Sequence, residues 1–287
     1  MKNVLIATTL LIASTLRAQT EVRSSACTFS TGVCPTFSVS LPRTDPKTTE
    51  NWYRAQLKSI SADITNKKEL TAIGARIPEV SADTIRMLVK AEQGKRDEGV
   101  TLHVAFRVNN SYVGPDSDPR EVKACHEWMY EHAVMFQKEM AQRELEAAQK
   151  VQQRLENDLA GLVKDKDRMQ SNLEKTKDKG VEAGQDKVKF EGDLRAMNNA
   201  VDAKKQEVAS SPSPENTEAL NAMLKEQAKL EDKAKRAADQ EQSAKNKVDD
   251  IEYQLKKNLD DQDKKTQAIN EQKKVVDGLR VRLEAIN

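Results

Sequence analysis

Apolar residues recur with a seven-residue period through most of the second half of the chain. One series runs from Ala141 to Val208 and a second from Leu220 to Ile286, each alternating steps of three and four residues. Such spacing places one apolar stripe along each helix, as is typical of a coiled coil. The pattern therefore predicts two long helices that pack against each other.

A segment rich in serine and proline, residues 209–213, separates the two series. Its proline, Pro212, ends one helix, and Ser213 followed by Pro214 begins the next, as Asp118 and Pro119 begin the first. We therefore predict an antiparallel hairpin with arms over 119–208 and 214–286. Parallel coils between separate chains, with the same segment as a hinge, are the competing arrangement.

One pair of charges falls on core positions of the two series. Lys187 in the first arm comes opposite Glu241 in the second when the chain reverses at the predicted turn. Any other register would leave each charge without its partner, and an unpaired charge in a helix interface is unfavourable. We predict that Lys187 and Glu241 set the register of the hairpin.

Each arm also has a segment with a weaker coiled-coil pattern. In the first arm these residues are Gly180, Gly184 and Gly192, because glycine disfavours a helix interior. In the second arm, polar residues interrupt the core around Asn258 and Gln262. Bending or contact with a partner is expected there, although ordinary imperfection of a solvated coil is the simpler explanation.

The first part of the chain has the shorter periods of a small mixed domain. Residues 37–41 alternate between apolar and polar types, which predicts a strand with one buried face. Helical spacing follows over Pro46–Ile60, and further strands are predicted around 72–77, 84–90 and 100–108. The predicted fold class is α+β: a small antiparallel sheet domain, 19–118, with covering helices in the order β-α-β-β-β-α, followed by the helical hairpin over 119–287.

Residues 1–18 have the composition of a signal peptide. Lys2 precedes the apolar run 4–16, and the small residue Ala18 offers a cleavage site. The run is too short to span a bilayer as a helix. We therefore expect an exported protein, periplasmic or extracellular, with no membrane span in the mature chain.

Export gives the three cysteines a possible structural role. Cys27 and Cys34 flank Gly32, where the chain can reverse, and this spacing predicts a Cys27–Cys34 disulfide. Two alternatives remain at this stage: both thiols are free, or Cys27 is a lipid-modified N-terminus. Cys125 has no partner in the predicted scheme.

Composition argues against several classes of function. The chain has 47 basic and 46 acidic residues, so it has no bulk field to attract nucleic acid. One segment, Cys125–His132, contains cysteine, histidine and glutamate, but its two histidines lie six residues apart and point about 120° from each other on a helix. We interpret this segment as a contact between helix and sheet, and we assign no catalytic, cofactor-binding or metal-binding residue.

The predicted layout resembles that of tentacled periplasmic chaperones and prefoldins, in which helical hairpins project from a small β body. That resemblance implies oligomers whose arms enclose a client protein. Adaptors of periplasmic efflux pumps also carry such hairpins, but their β domains are assembled from both flanks of the hairpin. The first expectation is a structural or protein-interaction protein that uses the rod as spacer or partner-binding arm. The alternative is a holdase-type chaperone, and an enzyme is a third possibility.

Overall fold

A computed structural model describes residues 20–94 and 98–286. The predicted signal peptide therefore lies outside the described residues. The described residues divide into two compact units, one formed by 20–94, 98–148 and 275–286, the other by 149–274. We call these the sheet unit and the hairpin unit. The elements, in chain order, are β1 (Val22–Phe29), β2 (Gly32–Pro42), α1 (Pro46–Ile60), β3 (Asp63–Asn66), β4 (Leu70–Ala75), β5 (Ile85–Glu92), β6 (Gly99–Val108), β7 (Ser111–Tyr112), α2 (Pro119–Ser210) and α3 (Pro214–Glu284).

The strands form one antiparallel sheet in the sheet unit. Their order among the described residues is β1-β2-β6-β5-β4-β3, with the short β7 paired to β6. The turn between β6 and β7 consists of Asn109 and Asn110, both with positive φ, which suits a two-residue hairpin. The predicted α+β class, with a small antiparallel sheet followed by long helices, is confirmed.

Helices cover one face of the sheet, which we call the inner face. Tyr53 and Leu57 of α1 are fully buried there, as are Cys125 and Met129 from the first turns of α2. Because an apolar side chain of this size contributes roughly 1.5–3 kcal/mol when fully buried, this layer forms the main core of the unit.

The start of α1 follows the predicted pattern. Asp45 caps the helix by accepting a hydrogen bond from the Thr48 backbone N–H at 3.0 Å, and Pro46 occupies the first turn. In the middle of α1, the Trp52 indole N–H donates to Glu139 Oε2 at 2.6 Å. This bond joins α1 to α2 within the sheet unit.

Three strands were missed in the sequence. β1 has apolar residues at irregular spacing, β3 has four residues and β7 has two. In such short or irregular strands a two-residue alternation is not recognised. Pairing with neighbouring strands stabilises all three, and β1 also buries Val22, Cys27 and Phe29.

Candidate functional site

Three potential ligand side chains meet on the face of the sheet opposite the helices, which we call the outer face. Cys27 comes from β1, Glu92 from the end of β5 and His103 from the middle of β6. One sulfur, nitrogen or oxygen atom of each lies within 4.8 Å of those of the other two. We call these three residues the outer-face cluster.

Strand pairing explains two members of the cluster. His103 pairs with Lys90 across β5 and β6 and with Ser38 across β2 and β6. Directly opposed residues in an antiparallel pair point to the same face, and Glu92, two residues after Lys90, points with it. The alternation of β6 therefore sends His103 to the outer face while its neighbours Leu102 and Val104 enter the inner core.

Cys27 reaches the cluster because the tip of the β1–β2 hairpin folds over the outer face. β2 pairs with β6 only from Phe37 onwards, so the part of the hairpin before it is free to leave the sheet plane. At the tip, Ser30 donates to the Glu69 carboxylate from both its backbone N–H and its hydroxyl group. Lys90 Nζ donates to the Thr28 carbonyl at 3.1 Å. Because Glu69 directly precedes β4 and Lys90 belongs to β5, both contacts hold the tip against the strands beyond β6 in the sheet order.

Opposite charges surround the imidazole. Glu92 Oε1 lies 2.6 Å from Lys90 Nζ, while Glu92 Oε2 lies 3.9 Å from His103 Nε2. The hydrogen bond from Lys90 lowers the pKa of the Glu92 carboxyl, and burial lowers the pKa of His103. Burial also raises the pKa of the Cys27 thiol. At neutral pH the cluster therefore presents a thiol, a neutral imidazole and a carboxylate.

The imidazole of His103 is incompletely bonded. Its Nδ1 atom is buried and has no hydrogen-bond partner among the described residues. A buried polar atom without a partner is unfavourable by about 1–3 kcal/mol, and such atoms often mark a site for water or an ion.

The structure places Cys27 directly opposite Cys34 in the β1–β2 hairpin. Both are buried and free, as is Cys125, so the predicted disulfide is not formed here. Directly opposed residues of an antiparallel pair have Cα atoms about 4.5–5.5 Å apart, within the range that a disulfide requires. The Cys27–Cys34 bond stays a prediction for the oxidised protein.

The other cysteine and histidine segment forms part of the inner core. Cys125 is fully buried, and burial raises the pKa of its thiol to about 12. His126 Nε2 lies 2.8 Å from the Val22 carbonyl oxygen, and the ring of His132 stacks on Trp128 at 3.8 Å between centroids. Each side chain has its own packing role, so this segment does not converge on one site.

In the hairpin unit, the structure brings Lys187 and Glu241 together. Lys187 Nζ donates to Glu241 Oε2 at 3.2 Å across the two helices, and Lys245 binds the other carboxylate oxygen at 2.6 Å. Hydrogen bonds from Lys245 and Lys187 lower the pKa of Glu241. The side chains are 36% and 19% exposed, so the pair lies at the border of the interface and is partly screened by water.

The polar interruption of the second arm has its own hydrogen bonds. Asn258 is 7% exposed, and its side-chain amide donates to the backbone carbonyl of Leu162 at 3.1 Å. Gln262 donates to Asn258 Oδ1 at 2.6 Å, and Lys265 reaches Asp158 at 3.0 Å. The interruption is therefore a connected polar contact between the arms.

The glycines of the first arm do not interrupt α2, which is one continuous helix. A Cβ atom at Gly180 would lie 3.3 Å from Cβ of Ala244, closer than an ordinary contact, whereas one at Gly192 would meet nothing within 4 Å. Ala183, Ala237 and Ala244 are buried in the same unit. Small residues here let the two helices approach closely.

Comparison with known proteins offers no family for this arrangement. No protein-family model matches the sequence, and no curated protein is significantly similar to it. Among the described residues, no helix combines the length and the apolar character needed to cross a bilayer.

Proposed function

We propose that this chain is a non-enzymatic, exported structural or protein-interaction protein in which the helical hairpin serves as spacer or partner-binding arm. The observation that carries the proposal is how the hairpin unit uses its apolar residues. Val201, Ala237 and Ile269, on its two helices, are buried, while the outward positions are largely charged. Two helices that bury their apolar stripes in this way form a stable arm.

A few large apolar side chains of the hairpin unit remain outside this interface. The most exposed are Tyr253 at 72%, Val188 at 69% and Val181 at 62%. Val181 and Val188 are one heptad apart on α2 and therefore share a face. Apolar residues at this spacing suit contact with an amphipathic helix of a protein partner or of a second copy.

The arrangement of the arms is tested by engineered cysteines. In the proposed hairpin, the variant Leu173→Cys/Leu255→Cys should form a disulfide within one chain on mild oxidation, because the two positions face each other at the same level. Bonds only between chains would support parallel coils, and no bond at all would contradict the hairpin register; either result would remove the spacer proposal. The matched control is Leu173→Cys with Lys256→Cys, which turns the second thiol about 100° around α3.

Contact with a partner is tested by site-specific photocrosslinking. A photoreactive residue at position 188 should give an adduct of defined mass in cells that produce the protein. The same residue at Lys189 is the control, because it points about 100° away on the same helix. Equal adducts at both positions, or none at either, would contradict a partner-binding face at Val188.

The alternative function is a holdase-type chaperone. The exposed Val181, Val188 and Tyr253 also suit weak contacts with unfolded chains. Molar mass and an aggregation assay distinguish the two proposals. A monomer or dimer that leaves aggregation of an unfolded substrate unchanged supports the spacer or interaction arm, whereas a trimer that suppresses aggregation supports the chaperone.

A further inference from the structure

We infer that the outer-face cluster binds a divalent transition-metal ion, with Zn²⁺ as the best fit. Cys27 Sγ, one ring nitrogen of His103 and Glu92 Oε2 are the proposed protein ligands. The inference is independent of the role proposed for the hairpin, because all three residues belong to the sheet unit.

The ligand set and its geometry favour this class of ion. Thiolate, imidazole and carboxylate together suit Zn²⁺ and not Mg²⁺ or Ca²⁺, which prefer oxygen alone. In a tetrahedral zinc site, neighbouring ligand atoms are about 3.5 Å apart. The atoms of the cluster lie within 4.8 Å of one another, and the 3.9 Å between Glu92 Oε2 and His103 Nε2 is already close to that spacing.

The Glu92 side chain can move to bring the three ligand atoms to the spacing of a tetrahedral site. Its side chain is 49% exposed, while Cys27 and His103 are held more firmly within the sheet. A rotation of the Glu92 side chain brings Oε2 inward without a change in the backbone. The exposed side of the cluster at Glu92 also gives an ion a path from solvent.

The surrounding contacts resemble those that orient metal ligands. Lys90 binds Glu92 Oε1 at 2.6 Å, which leaves Oε2 for the ion. His103 Nδ1 is buried and has no hydrogen-bond partner among the described residues, and Nε2 faces Glu92 Oε2 at 3.9 Å, so either ring nitrogen is available to the ion. The Lys90 ammonium is also a nearby positive charge, which lowers the affinity relative to a site without it.

Binding displaces one proton. The Cys27 thiol loses its proton to solvent as the sulfur–metal bond forms, Glu92 binds as carboxylate, and His103 binds in its neutral form. Water completes the coordination at the fourth position. A Cys27–Cys34 disulfide would occupy the same sulfur, so metal binding and the disulfide exclude each other.

The test is a Co²⁺ titration of the purified, metal-free chain under reducing conditions. One equivalent of Co²⁺ should produce a thiolate-to-cobalt charge-transfer band, which Zn²⁺ then removes because it binds such sites more tightly. Bound Zn²⁺ should also slow oxidation of the Cys27–Cys34 pair. Absence of the band in the reduced wild-type chain would overturn the inference.

Two variants test the ligands, and a third is the control. Cys27→Ser should abolish the band, and Glu92→Gln, at a partly exposed position that tolerates change, should weaken Co²⁺ binding by at least about tenfold. Cys125→Ser is the matched control and should leave the titration unchanged. A band that persists in Cys27→Ser, unchanged affinity in Glu92→Gln, or a band lost only in Cys125→Ser would each refute the site.

Discussion

The side-chain amide of Asn258 donates a hydrogen bond to the backbone carbonyl of Leu162 at 3.1 Å, between the two long helices of the hairpin unit. A buried asparagine in a coiled coil favours one register at a cost in stability. Asn258→Leu should therefore raise the free energy of unfolding by about 1 kcal/mol, measured by denaturant titration. Asn246→Leu, at an exposed position, is the control and should give no comparable gain.

The same substitution should make the register less specific. With Asn258 present, a cysteine at Leu173 should crosslink to a cysteine at Leu255 in preference to cysteines placed one heptad away from Leu255. In the Asn258→Leu variant this preference should be smaller. Unchanged selectivity would mean that the asparagine does not specify the register.

The Lys187–Glu241 contact makes a second prediction about register. Lys187→Glu should lower the melting temperature, because two carboxylates then face each other across the helices. Adding Glu241→Lys should restore much of the loss, best in a Lys245→Gln background that removes the neighbouring ammonium. Equal melting of the single and double variants by circular dichroism would show that the pair has no role in alignment.

Replacing glycine by alanine should change the stability of the protein by different amounts at different positions of α2. At Gly161 and Gly192 an added Cβ atom meets nothing within 4 Å, so alanine should stabilise the helix by about 1 kcal/mol at each position. At Gly180 the new Cβ atom would lie 3.3 Å from Cβ of Ala244, and the crowding should offset this gain. Equal stabilisation at all three positions, measured by chemical denaturation, would argue against close approach of the helices.

The sheet unit should lose stability under mild acid. Burial against Trp128 lowers the pKa of His132, although its bond to the Trp128 carbonyl and the nearby Glu131 act in the opposite direction. The unfolded chain therefore takes up the proton first. The stabilising effect of the neutral ring is complete above the ordinary histidine pKa of about 6.5 and is lost as pH falls through it towards the folded value.

Tryptophan fluorescence can follow this loss, because Trp52 and Trp128 both belong to the sheet unit. The melting temperature should decrease between pH 7.5 and 5.5 (about one unit on each side of the ordinary histidine pKa). His132→Gln should reduce the slope, and burial of His103 accounts for part of the remainder. A slope that is the same in both proteins would exclude His132 as a contributor.

Oxidation should join Cys27 to Cys34 and leave Cys125 free. The first two are directly opposed in the hairpin, whereas the thiol of Cys125 is fully buried with its pKa raised to about 12. Non-reducing peptide mapping should show this single bond, with a stabilisation of about 2.5 kcal/mol for so short a loop. Any bond to Cys125 would contradict the arrangement of the sheet unit.

Much of the architecture could be predicted because its causes are local. The helix Pro46–Ile60 has its cap and its first-turn proline adjacent in sequence. The two long helices repeat the same heptad pattern many times along their length. The pairing of Lys187 with Glu241 needed one further assumption, the position of the turn. By contrast, the apolar residues of β1 are spaced too irregularly to predict a strand.

By itself, the sequence determined which segments are helices, where they begin and end, and which central strands form a sheet with one apolar face. Only the tertiary structure decided that Cys27, Glu92 and His103 meet, because they come from three strands and the folded tip of the β1–β2 hairpin carries the cysteine to the other two. The spacing of apolar residues in a segment shows only which face of that segment is buried. The proximity of distant side chains depends on strand order and on how the sheet bends, which no local pattern encodes.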